Sequence, residues 1–190
     1  LEFNVCSSDL DKVILWGNER IIRSLENIKQ PWLTNLSNTY LKNIFSRTLW
    51  QIFILPNEAK RLKVDIMLVP GGNICFFNPY VSMSRNMLPF ETTELLRFGI
   101  SKTTIRYILL RLTQTFSFRR AKGVIFLNEY AKKIISEKIG KKDNLCKIIP
   151  HGINKKFFNE NRQNFDKKIF ELVYVSTINM YKHQWNVIDA

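Results

Sequence analysis

The residues able to do chemistry in this sequence gather where apolar runs stop. The run Lys147–Ile149 breaks on Pro150, His151 and Gly152, so one of only two histidines in the chain stands at the end of a strand-like segment. His151 can donate a hydrogen bond to a phosphate or a sugar hydroxyl. Gly152 lets the backbone approach a ligand closely and leaves amide groups to point at an anion. Pro150 stiffens the exit. The same residues also suit a surface turn with an incidental histidine.

A second group lies in VSTINMYKHQ, Val175 to Gln184. Ser176 and Thr177 offer hydroxyls to phosphate oxygens, and Lys182 brings a mobile positive charge with His183 beside it. A helix starting just afterwards would reinforce such an anion site. A solvated loop lysine is the plainer alternative. A third group pairs VPGG, ending in Gly71 and Gly72, with the stretch from Arg85 and Asn86 into MLPF. The glycines either let a substrate lie against the backbone or form a turn. Asn86 either orients a sugar hydroxyl or caps its own loop. Other chemistries lack their signatures: the sequence has no GxxxxGK[ST] phosphate loop and no GxSxG elbow, and His151 and His183 are not spaced as HExxH.

The elements that must position these groups follow from periodicity. Short apolar runs, each read as a strand, cover Val64–Gly72, the start of Pro79–Phe90, Gly123–Asn128, Cys146–Pro150 and Phe170–Thr177. Between them, Ile105, Ile108, Leu109, Leu112 and Phe116 form a helical stripe after the N-cap candidate Ser101. Ala131, Ile134, Ile135 and Ile139 form another that stops at Gly140. Nearer the start, Val13–Gly17 reads as a strand and Leu41–Leu55 as a helix with Trp50 buried. Apolar strands alternating with helices predict an α/β, Rossmann-like parallel sheet covered on both faces. Ligands of such sheets bind at the carboxyl ends of the strands, which selects Gly71-Gly72, Arg85-Asn86, Asn128, His151-Gly152 and Ser176-Thr177.

Domain organisation is read as an amino-terminal Rossmann-like domain over 1–160, incomplete at its start. A linker and the beginning of a second Rossmann-like domain then occupy 161–190, with the polar stretch Asn154–Lys168 as the connection. Leu1 at the start and an apolar run halted at Ala190 are read as marks of a fragment.

The chain has 190 residues, 45% of them hydrophobic, and a net charge of +13. That surplus favours polyanions: nucleic acid, anionic membrane or phosphorylated small molecules. The lysines are scattered rather than blocked, which argues against a nucleic-acid tail. The basic stretch Arg111–Lys122, with Phe116 and Phe118, offers stacking to nucleic acid. Its Ile/Leu periodicity instead predicts a core-facing helix with a solvated basic side, and contact of that side with an anionic membrane stays open. Cys6, Cys75 and Cys146 are odd in number and lack metal-site spacing, so buried free thiols are expected and no metal. No apolar run approaches the ~18 residues of a membrane span and no signal peptide opens the chain. The expectation is a cytoplasmic protein, at most peripheral on the inner face of a membrane.

Taken together and in order, NMLPFETTELLRFG, FSFRRAKGVIFLNEYAKKII, IIPHGINKKFF and YVSTINMYKHQ resemble a retaining glycosyltransferase of family 4, the group also called glycosyl transferases group 1. The resemblance runs from about Val64 to the end of the chain. It implies the GT-B architecture, in which two Rossmann-like domains face each other across a cleft. The first domain holds the acceptor and the second holds a nucleotide-sugar donor. The implied reaction transfers a sugar to a glycan or lipid-linked acceptor with retention, as in lipopolysaccharide, capsule or other cell-surface polysaccharide synthesis. It implies no cofactor and no metal, because cationic side chains and helix ends offset the leaving diphosphate.

Carried over residue by residue, Pro150-His151-Gly152-Ile153 matches the family's Pro-Asn/His-Gly-Val/Ile, which lines the cleft. Lys182 matches the lysine on the donor diphosphate, with His183 beside it. Ser176 and Thr177 stand where many members have Gly-Arg. Arg85 and Asn86 stand where many place a histidine near the reacting sugar. The paired glutamates of the family, E-x7-E, would fall beyond residue 190, so the resemblance implies a fragment that does not turn over efficiently alone. The alternative from another class is a non-catalytic Rossmann-like binding module or remnant, which binds a glycan, a nucleotide or another protein without turnover.

Overall fold

The computed structural model describes residues 11–24, 31–37, 43–152 and 173–189. Cys6 and the expected connection Asn154–Lys168 lie outside the described residues. In chain order the first unit is β1 (Val13–Gly17), α1 (Glu19–Ser24) and β2 (Leu33–Ser37), a βαβ unit whose two strands pair in parallel. Asn18 starts α1 by accepting the Ile21 amide on its Oδ1 at 2.9 Å.

The next helical stretch is α2 (Ile44–Leu49), a π-helical turn over Trp50–Ile54, and α3 (Leu55–Arg61). Trp50 is buried as expected. The main sheet then forms from β3 (Met67–Pro70), β4 (Tyr80–Met83), β5 (Gly123–Phe126) and β6 (Cys146–Ile148), in the spatial order β3-β4-β5-β6, all parallel. Its crossovers are α4 (Thr92–Arg97) with α5 (Lys102–Arg120) between β4 and β5, and α6 (Glu129–Ile139) between β5 and β6. The fold is therefore α/β with parallel sheets.

Local chemistry sets the helix ends. Ser101 Oγ accepts the Thr104 amide at 3.2 Å and Asn128 Oδ1 accepts that of Ala131 at 2.7 Å, capping α5 and α6. Gly140 ends α6 in the left-handed region at φ 64. The Lys141 ammonium closes the end of α5 by donating to the carbonyls of Phe118, Arg119 and Ala121, a cation on the negative end of a helix dipole.

Alternation along the strands divides the sheet cleanly. Met67, Val69, Tyr80, Val124, Phe126 and Cys146 point into one core with Phe118 of α5 and Ala131, Ile135 and Ile139 of α6. Trp16 of β1 and Leu55 of α3 pack on its margin. Burial pushes the thiols of Cys75 and Cys146 and the phenol of Tyr80 above their usual pKa ranges. Cys75 and Cys146 are buried free thiols, as the sequence predicts.

Three expectations need correction. The parallel sheet is not covered on both faces by the described residues: Leu68 is 57% exposed, and Val81, Met83 and Ile125, on the same face, are only half-buried. The apolar stripe of α5 does not face the core. Ile105, Ile108, Leu109, Leu112 and Phe116 are all exposed, and the helix packs through Gln114, Ser117 and Phe118, which lie roughly opposite at 3.6 residues per turn. The periodicity located an apolar face correctly but not what it faces. Finally, Val173–Thr177 forms no strand; the remainder of the expected fifth strand, Phe170 to Leu172, lies outside the described residues. That segment leads instead through a short turn to α7 (Gln184–Ile188).

Candidate functional site at the carboxyl edge of the sheet

Because all four strands of the main sheet run the same way, their carboxyl ends open on one edge. The ladder continues one residue beyond the strands and fixes the loops side by side. The Gly71 amide donates to the Met83 carbonyl at 2.9 Å, that of Ser84 to Ile125 at 2.8 Å, and that of Ile149 to Phe126 at 2.8 Å. The parallel sheet thus brings together four of the loops selected from sequence, Gly71-Gly72, Arg85-Asn86, Asn128 and His151-Gly152.

The glycine pair is held by α5. Gly71 and Gly72 both have positive φ, 87 and 68. The Gly71 carbonyl accepts from Gln114 Nε2 at 3.1 Å, and the Asn73 carbonyl accepts from Ser117 Oγ at 2.7 Å. A Cβ on Gly72 would stand 2.8 Å from the Phe118 ring and 2.9 Å from Gln114 Cγ, whereas one on Gly71 would meet nothing within 4 Å. Gly72 is therefore a packing glycine against the helix, and Gly71 alone of the pair has open space beside it. Gln114 and Ser117 were not foreseen. Their signal was present: polar residues three apart, on the side of α5 opposite the stripe.

Arg85 and Asn86 are exposed at the end of β4. Asn86 Oδ1 accepts the Leu88 amide at 3.0 Å, so this side chain caps its own loop. Asn128 likewise spends its oxygen on α6. His151 and Gly152 are exposed at the end of β6. Gly152 does not adopt the left-handed region, and an added Cβ would meet nothing within 4 Å. Neither backbone conformation nor packing calls for glycine at 152.

The segment carrying Ser176, Thr177, Lys182 and His183 meets this edge through His183. His183 Nε2 lies 3.3 Å from Glu94 Oε2 on α4, and the same glutamate is 3.3 Å from Arg97 Nε. α4 lies at the carboxyl edge, since Glu91, just before it, accepts the Tyr130 hydroxyl at 2.7 Å from the first turn of α6. His183 itself is left-handed, φ 50, and packs 5.1 Å from the Trp185 ring.

The Lys182 ammonium is exposed, 5.2 Å from the centre of the Tyr181 ring. Ser176 Oγ and Gln184 Nε2 both donate to the Thr177 carbonyl at 3.3 Å, which folds the turn on itself. α7 has five residues, too few to add an appreciable helix dipole behind Lys182. The structure thus joins His183 to the edge, while Lys182, Ser176 and Thr177 shape a turn beside it.

Two hollows lie on the surface of the described residues. One of about 140 Å³ is lined by Thr48, Gln51, Ile52, Asn73, Ile74 and Thr113, adjoining the loop after β3. Its walls carry hydroxyls and carboxamides and no charge. A larger hollow of about 260 Å³ runs along α6 beside Asp143, where the Lys132–Asp143 ion pair at 2.7 Å crosses exposed charges. Among the described residues no group of three or more His, Cys, Asp or Glu side chains is placed to hold a metal ion. No helix among them is long and apolar enough to cross a membrane. Compared with protein-family models, curated proteins and solved structures, the chain matches none.

Proposed function

We propose that this chain is part of a retaining glycosyltransferase of the GT-B type. It would pass a sugar from a nucleotide-diphosphate sugar to a glycan or lipid-linked acceptor in cell-surface polysaccharide synthesis. The observation that carries the reading is the convergence of Gly71, Arg85 and His151-Gly152 on one edge of a parallel sheet, with His183 tied to that edge through Glu94. Parallel sheets bind ligands at that edge.

In this reading the uncharged hollow beside Asn73 takes the acceptor. Carboxamides and hydroxyls suit a neutral polyol, and an excess of cations there would not. Gly152, free of any packing or backbone demand for glycine, leaves room for the donor to lie against the main chain, with His151 donating a hydrogen bond. Lys182 places positive charge where the diphosphate leaves, the kind of stabilisation that acts as charge develops. No cofactor is needed for these roles.

The test is sugar transfer by the full-length protein from a labelled nucleotide sugar. Lys182→Ala is expected to lower turnover by a factor of about 100 or more, as losing one charge-stabilising donor does. Near-normal turnover would remove Lys182 from the mechanism. The second reading, a non-catalytic binding module, is favoured by one observation: Lys182 stacks by Tyr181 within its own turn rather than contacting the strand-end loops. It predicts nucleotide-sugar binding without transfer.

A further inference from the structure

The outward stripe of α5 is a surface in search of an apolar environment. Ile105, Ile108, Leu109, Leu112 and Phe116 are between 41% and 62% exposed and occupy three turns of one 19-residue helix. The helix carries Lys102, Arg106, Arg111, Arg119 and Arg120 and not one acidic residue. By helical geometry Lys102 and Arg120 border the stripe and Arg106 stands roughly 100° from Ile105, so these three cations lie along one flank of the apolar face, while Arg111 falls toward the packed side and Arg119 Nε donates to the Ile139 carbonyl at 3.0 Å. At one end Arg120 lies over two partly exposed rings, 5.7 Å from Phe76 and 5.4 Å from Phe116.

We infer that α5 lies flat on an anionic lipid bilayer, with the stripe at the acyl boundary and the flanking cations among the headgroups. A helix lying in the interface plane shows this combination of an apolar face and a basic rim. Long basic side chains reach outward to the headgroup level while their stems stay in apolar surroundings. The charge complement also selects the occupant. A second copy meeting this face about a twofold axis would set the flanking cations of one helix against those of the other, with no carboxylate on either helix. Nucleic acid would use the cations and leave the aliphatic stripe in water. This surface faces away from the core that supports the strand-end loops, and the inference does not depend on the transferase reading.

The test is co-sedimentation of the 190-residue chain with vesicles of phosphatidylcholine alone and of phosphatidylcholine with an equal part of phosphatidylglycerol. Two variants are compared, Leu109→Gln/Leu112→Gln and Lys102→Gln/Arg106→Gln, each checked by circular dichroism for an unchanged fold. Binding is expected only to the anionic vesicles. The charge variant should partition about thirtyfold more weakly, from roughly a factor of five per basic side chain, and the apolar variant should lose binding. Equal partition of both variants and the parent chain would overturn the inference. So would absence of vesicle binding, whether accompanied by a dimer that Leu109→Gln/Leu112→Gln dissolves or by RNA binding that it leaves intact.

Discussion

Substituting the two neighbouring glycines after β3 separates packing from backbone strain. Gly72→Ala forces an L-residue to hold φ 68, a left-handed conformation that costs roughly 1–2 kcal/mol. Its new methyl would also sit 2.8 Å from the Phe118 ring and 2.9 Å from Gln114 Cγ. Neither neighbour can yield cheaply. Phe118 is fully buried, with its ring centre 6.2 Å from that of Phe90, and Gln114 is held by its bond to the Gly71 carbonyl. Overpacking of this kind costs about 1–3 kcal/mol.

Gly71→Ala carries the backbone cost alone, because nothing lies within 4 Å of its Cβ. Both substitutions recover about 0.4–1 kcal/mol from a stiffer unfolded chain. The net loss is then about 0–1.6 kcal/mol at 71 and about 1–4.6 kcal/mol at 72. For a chain of this length each kcal/mol lowers Tm by about 2–4 °C. Thermal unfolding followed by circular dichroism should place Gly72→Ala roughly 2–12 °C below Gly71→Ala. Melting points for the two within about 2 °C of each other would refute the packing of the loop against α5.

Other outcomes follow from the same structure. Leu112→Gln should change stability by less than about 0.5 kcal/mol in denaturant titration, because its site is exposed. Phe118→Ala on the opposite side should cost about 3–5 kcal/mol, and the reverse order would return the stripe to the core. Asn128→Ala should cost about 1 kcal/mol through loss of the cap on α6, read as a drop in urea midpoint with unchanged slope.

Cys75 and Cys146 should resist alkylation in the native chain and react fully after unfolding. Burial holds both folded thiol pKa values above the unfolded one. Stability should therefore be flat below the ordinary thiol range of about 8.5 and fall as pH rises beyond it. Unfolding free energies that rise with pH there would reverse the sign.

Much of the sheet was legible in the sequence. β-branched and apolar runs ending in Pro, Gly or Asn gave the positions of β3 to β6, and Ser101 and Gly140 marked helix ends through their own hydrogen-bonding and backbone chemistry, whereas Asn128 was read as a strand-end loop residue and its role as the cap of α6 was not foreseen. What was not legible is what each face meets. The stripe of α5 has the same period whether it covers a sheet or faces outward, so periodicity could not decide. The small polar contacts that hold the Gly71-Gly72 loop, from Gln114 and Ser117, join residues more than forty positions apart, beyond any local pattern. The strand expected at Phe170–Thr177 was read from a short apolar run rich in β-forming residues. Such propensity needs a neighbouring strand to act on, and Val173 and Val175 are exposed, without a pairing partner among the described residues.

For the candidate site, the strand-end loops were found because a parallel sheet dictates where they gather. The Glu94–His183 contact was not, since it depends on how a distant segment returns to α4.

The most direct measurement for the functional account is a titration of the isotope-labelled chain with a nucleoside diphosphate and then with its sugar ester, followed residue by residue through amide chemical shifts. Donor binding at the sheet edge predicts saturable changes at Gly152, Thr177, Lys182 and His183, together with the Gly71 loop when an acceptor glycan is added, and a clear weakening in Lys182→Ala. Shifts confined to the charged hollow along α6, or no saturable change in a chain shown to be folded, would contradict it.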